Sequence, residues 1–218
     1  MKHLSENPNV VRIANAPEGF RQVQKGFAPI NECCYISLTA VKCQAPTVIY
    51  SPANIAPVSK IMSQFAFHAP GLEDTDRLGS AIAEVVPAGT LIALSGTLGA
   101  GKTRLVQAIA AGCGVDRADV VSPTFVLCQE YAGDRQLVHI DAYRIADDDE
   151  FLQLGVDDYF DSDAIVLIEW AERVVSCLPS ERIEIEIEVV GETVRNFNIR
   201  ALGEGLSPVV VQMNRSLE

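Results

Sequence analysis

Eight consecutive residues, Gly96-Thr97-Leu98-Gly99-Ala100-Gly101-Lys102-Thr103, fit G-x-x-x-x-G-K-[ST], the spacing of a phosphate-binding loop. Glycines at 96, 99 and 101 let the backbone take left-handed or close-approach conformations, so that successive N–H groups turn inward toward phosphate oxygens. A helix opening near Gly101 adds its positive end. Lys102 supplies a point charge for β and γ phosphates, and the Thr103 hydroxyl a ligand for Mg²⁺. After Met62 the chain uses lysine at position 102 and nowhere else. An ordinary glycine turn ahead of a helix gives no reason for that placement.

A phosphate loop works with a second carboxylate that holds its metal, carried at the end of a neighbouring apolar strand. Glu169 directly follows Ala164-Ile165-Val166-Leu167-Ile168 and would emerge at the carboxyl edge of a sheet. The plainer alternative is a solvated strand-end acid. Asp141 sits in Leu137-Val138-His139-Ile140-Asp141-Ala142-Tyr143-Arg144, where the strand period puts His139, Asp141 and Tyr143 on one face. Such a face suits a strand beside a nucleotide, with Asp141 holding a metal-bound water or orienting the attacking one; the plainer alternative is the wet side of an edge strand. Ser122-Pro123-Thr124 falls in a loop where phosphate-loop proteins carry a γ-phosphate switch, against the reading of a simple turn. On chemistry alone Trp170, the single tryptophan, reads as core packing.

The elements that must position these groups are legible in outline. Ser63 to Phe67 alternates like a strand. Leu78, Ile82 and Val85 recur at helical spacing behind an N-cap at Asp74 or Thr75, and Pro87 and Gly89 end that helix. Leu91 to Leu94 and Ala164 to Ile168 are short apolar runs typical of strands buried on both faces. A helix is expected from Lys102 to Ala111, strands from Phe125 to Tyr131 and Leu137 to Tyr143, and a helix start at Asp147-Asp148-Asp149. Ile183, Ile185 and Ile187 alternate with glutamates, and Gly191-Glu192 turns the chain into Val194 to Ile199. The fold class expected is therefore α/β, a phosphate-loop NTPase-like mixed sheet flanked by helices with a C-terminal antiparallel hairpin.

Charge divides the 218-residue chain at Met62: residues 1–61 carry a net +3, the remainder −15, together −12. The first segment is punctuated by six of the eleven prolines and reads as an unstructured extension, with Met62 as an alternative start; 62–203 reads as the ATPase domain and 204–218 as a tail. The acid excess argues against a protein that grips nucleic acid on its own, because phosphate contacts run on clustered Lys and Arg. The six cysteines lack paired spacing, which suits reduced thiols in the cytoplasm; zinc binding through Cys33, Cys34 and Cys43 is disfavoured by the adjacency of the first two. With no lysine after Lys102, the Asn-Lys-x-Asp element that selects guanine cannot occur, so ATP is the default nucleotide.

Gly96 to Thr103, Ser122-Pro123-Thr124-Phe125, His139-x-Asp141-x-Tyr143-Arg144 and Ile168-Glu169-Trp170 together resemble the TsaE family, once called YjeE. These are bacterial ATPases needed to make threonylcarbamoyladenosine at position 37 of tRNA. The resemblance spans about residues 65–203. It implies a Mg²⁺-dependent ATPase, weak alone, that binds a TsaB–TsaD heterodimer and resets it between turnovers. tRNA would be reached only through those partners, and neither DNA nor a membrane is expected as one. By motif, Gly96, Thr97, Leu98, Gly99, Ala100, Gly101, Lys102, Thr103 and Arg104 would hold the nucleotide, and Thr103 and Glu169 the metal. Lys102, Asp141 and Glu169 would serve hydrolysis, Thr124 would be switch-like, and Trp170 gains weight as a site-adjacent residue. Thr75 and Arg195 would approach adenine. Thr97 stands where many members have Asp; since the loop's backbone does the binding, little effect is expected. Two other classes stay open on the residues: a small-molecule or nucleoside kinase, and a nucleotide-binding regulatory subunit without turnover.

Overall fold

The computed structural model describes residues 60–218. The expected extension, apart from its last two residues, lies outside the described residues, and with it Cys33, Cys34 and Cys43. In chain order the elements are β1 (Ile61–Ala69), α1 (Leu72–Val85), β2 (Leu91–Gly96), α2 (Lys102–Gly112), β3 (Cys128–Ala132), β4 (Gln136–Asp141), α3 (Asp148–Leu152), α4 (Val156–Phe160), β5 (Ile165–Glu169), β6 (Arg182–Val189), β7 (Arg195–Leu202) and α5 (Ser207–Leu217).

The seven strands form one sheet in the order β1-β7-β6-β2-β5-β4-β3. Its centre, β6-β2-β5-β4, is parallel; β7 and β1 extend one side antiparallel and β3 the other. This is the mixed sheet with a terminal hairpin that the strand patterns imply. The apolar run of β5 divides by alternation: Ile165 and Leu167 join the core under α1, α2 and α5, while Val166 and Ile168 face α3 and α4. Burying both faces requires a continuous apolar strand. Each fully buried side chain in these layers, such as Leu105, Ile109 or Phe151, contributes about 1.5–3 kcal/mol. Helices α1 and α2 lie close because Gly79 faces Ala108, where a Cβ would collide. Among the described residues no helix is long and apolar enough to cross a membrane.

Four details depart from the sequence reading. Helix α1 starts at Leu72, with Gly71 as cap; Asp74 sits at the third helical position and its Oδ2 accepts the Gly71 N–H at 3.2 Å. The expected strand at Phe125 begins only at Cys128, because Val126 and Leu127 donate back to the Pro123 carbonyl in a turn and Leu127 is left-handed at φ 65°. Strand β4 stops at Asp141, whose Oδ1 caps a 3-10 turn over Ala142–Arg144 by accepting the Tyr143 N–H at 2.9 Å. Tyr143 therefore leaves the strand face that carries His139 and Asp141. Residues of the expected tail form α5, whose Val210 and Met213 are buried in the core against β1 and α1.

Candidate nucleotide site

The chain leaves β2 at Gly96 and re-enters regular structure at Lys102, so the glycine-rich turn hangs off the carboxyl edge of the sheet at the N-terminus of α2. Gly99 and Gly101 are left-handed, at φ 75° and 106°, and nothing lies within 4 Å of where a Cβ would stand on either, which is the open cradle a phosphate needs. Gly96 is constrained differently: a Cβ there would approach the Ile187 carbonyl to 2.6 Å. Leu98 at the tip of the turn is exposed.

Lys102 is buried, with Nζ donating to the carbonyls of Gly96 at 2.7 Å and Thr97 at 3.1 Å and lying 3.6 Å from the Trp170 ring centroid. Burial pulls its pKa below the ordinary lysine value, and the carboxylates of Glu169, Glu172 and Asp141 pull the other way. Trp170 is left-handed at φ 60° and packs on Tyr143 with ring centroids 5.0 Å apart. Its indole is thus a wall of the lysine's seat and not interior packing alone.

The parallel register puts Asp141 beside Glu169 and Glu169 beside Leu94, so both acids emerge next to the strand that feeds the loop. Glu169 is 3% exposed and Asp141 2%. Neither is a solvated strand-end acid, and β4, flanked by β5 and β3, is not an edge strand. Glu169 Oε1 pairs with His139 Nε2 at 2.9 Å, and His139 is fully buried with Nδ1 unpartnered. A carboxylate only accepts, so His139 donates here through Nε2. Asp141 Oδ2 accepts from Ser122 Oγ at 2.6 Å and Thr124 Oγ1 at 2.7 Å, and the two hydroxyls are 2.7 Å apart. The Ser122-Pro123-Thr124 segment is thereby latched onto the end of β4 by groups that could release it.

Other residues singled out from the sequence are engaged with protein partners. Arg104 gives its guanidinium to Asp76 of α1 at 2.7 Å, and Arg117 meets the same oxygen at 2.9 Å. Thr75 is buried in the first turns of α1. Arg195 donates to the loop's carbonyls of Ala100 and Gly99. His139 is the residue whose role the sequence left unstated: the period of two marked its face, but nothing local marked its partner. A cleft of about 780 Å³ opens beside Gly96, Thr97 and Trp170, but Glu172, Glu186 and Glu188 on its wall would repel phosphate, which leaves the loop itself as the anion seat. Burial pushes the Cys128 and Cys177 thiols up to about 11, so neither is a nucleophile at neutral pH.

Fold and site define a phosphate-loop NTPase-like protein. The family profile described as "Threonylcarbamoyl adenosine biosynthesis protein TsaE" matches residues 69–197. The chain belongs to the TsaE family. It is 34% identical to the Bacillus subtilis tRNA threonylcarbamoyladenosine biosynthesis protein TsaE over 155 residues, 71% of this chain and 96% of that protein. The Streptomyces coelicolor TsaE is 42% identical over 135 residues, 58% of this chain and 90% of its own length. Among solved structures, Bacillus subtilis YdiB superposes with a TM-score of 0.61 at 30% identity, covering 70% of this chain and 95% of YdiB.

Proposed function

We propose that this protein is the ATP-hydrolysing subunit of tRNA threonylcarbamoyladenosine synthesis, working in the cytoplasm within an assembly with TsaB and TsaD. The observation that carries the reading is the convergence of an open glycine cradle, a buried lysine and two buried carboxylates at one sheet edge. Backbone N–H groups of the loop and the α2 N-terminus bind the phosphates. Lys102 exchanges its two carbonyl partners for β and γ oxygens, a favourable move for a cation held in a desolvated seat.

The donor set also fits Mg²⁺. Thr103 lies in the first turn of α2, which packs against β5, and Glu169 ends β5; hydroxyl and carboxylate oxygens are what a hard divalent cation takes. Bound there, Mg²⁺ supplies neutralisation of charge on the phosphate oxygens during transfer. His139 holds the Glu169 carboxylate in one orientation. Asp141 orients the attacking water, and Thr124 leaves or keeps its latch on Asp141 according to whether a γ phosphate is present. Hydrolysis alone is slow because partners complete the site, and each ATP consumed resets the TsaB–TsaD assembly. tRNA is met through those partners, consistent with a net charge of −12.

The test is to purify the protein with its own TsaB and TsaD and measure ATP turnover and multiple-turnover tRNA modification. Both should rise on mixing and both should vanish with Lys102→Ala. Phosphate transfer to a metabolite in place of water, or fast hydrolysis indifferent to TsaB and TsaD, would overturn the reading.

A further inference from the structure

We infer that Arg195 is a positioning residue for phosphate binding, acting on the backbone of the loop and not on the nucleotide's base; this rests on the phosphate-loop reading above. All three guanidinium nitrogens donate to main-chain carbonyls. Nε reaches Ala100 O at 2.8 Å and Nη2 reaches Gly99 O at 3.4 Å, while Nη1 meets Gly191 O and Val194 O at 2.9 Å and Glu192 O at 3.3 Å. One planar fork therefore ties the outer side of the phosphate loop to the turn between β6 and β7.

The consequence follows from peptide geometry. In a trans peptide the C=O and the next N–H point to opposite sides of the chain. Holding the Ala100 carbonyl outward aims the Gly101 N–H inward, where the loop's amides converge. The Ala100 N–H is already engaged by Thr97 O at 3.1 Å, so the Gly101 amide is the one this tether can offer to a ligand. The constraint is needed because Gly101 sits at φ 106°, where a glycine keeps broad freedom and the peptide plane could rotate. A cation against the carbonyl also polarises the same peptide and strengthens its N–H end as a donor.

The anchor at the other end is firm. Val190 and Gly191 N–H both donate to Val194 O, at 3.1 and 3.2 Å, closing the turn on itself, and Arg195 starts β7 paired with Val189 on one side and Ala69 on the other. Lysine keeps the charge but cannot bridge two sets of carbonyls with one rigid plane.

Calorimetric titration of wild type, Arg195→Lys and Arg195→Ala with Mg-ATP and with inorganic tripolyphosphate tests this, with thermal melts of each variant and Lys102→Ala as a reference. Brace action predicts that both ligands weaken by the same factor, roughly tenfold or more, in Arg195→Lys as in Arg195→Ala, with the Arg195→Lys melt close to wild type. A loss confined to ATP makes Arg195 a contact to the nucleoside and overturns the inference, as does undiminished binding of both ligands. A wild type that binds neither ligand, or a Lys102→Ala variant that binds as wild type does, sinks the phosphate-loop reading itself.

Discussion

The two halves of the sheet treat polar side chains in opposite ways. In β6 and β7 they recur at every second position on one face: Glu184, Glu186 and Glu188 register against Arg200, Asn198 and Asn196. Their charge keeps that face wet, as in a sheet with one solvated side. In β4 and β5 both faces are covered, and the polar groups His139, Asp141 and Glu169 are each no more than 3% exposed. Burying an ionisable group without partners costs several kcal/mol, so each of these is held by a specific donor or acceptor. The difference teaches where to look for chemistry: the glutamates and asparagines of the hairpin keep one face wet, whereas the buried polar groups at the carboxyl ends of β4 and β5 are the ones proposed to serve the site.

That contrast can be broken by substitution on each side. Glu169→Gln should cost most: removing the carboxylate charge proposed to hold Mg²⁺ should lower ATP turnover by on the order of a hundredfold or more while leaving the melt near wild type. Turnover within twofold of wild type, measured with TsaB and TsaD present, would show that burial at this edge does not mark function. Next, His139→Ala should weaken Mg²⁺ dependence of turnover roughly 10- to 100-fold, with His139→Gln recovering part of it through its amide N–H. An unchanged Mg²⁺ titration would reduce His139 to packing. Smallest is Glu186→Gln on the wet face, whose ion pair with Arg200 at 3.0 Å is half exposed. Denaturant titration should find a change of no more than about 0.5 kcal/mol; a larger change would mean that this pair is held more tightly than an exposed ion pair.

What was legible in the sequence is what short-range pattern can carry. The loop Gly96 to Thr103, the apolar run ending at Glu169 and the Ile–Glu alternation of β6 all announce themselves within ten residues, and each formed where expected. Element ends were harder. The start of α1 at Leu72 depends on a glycine cap, and the stop of β4 depends on Asp141 turning back to bond Tyr143, so a strand pattern ran past the true end. Helix α5 has no clear local signal because its burial comes from β1 and α1, elements more than a hundred residues earlier in the chain.

By itself, then, the sequence determined the anion cradle, the residue types that could serve it and the mixed α/β class, because backbone freedom at glycine and hydrophobic period act locally. Tertiary structure alone decided which groups meet. His139 finds Glu169 across 30 residues and Arg195 finds the loop across 95, through strand register and the order β6-β2-β5-β4 in the sheet. Pairing of distant strands is set by the core as a whole, and no window along the chain contains that information.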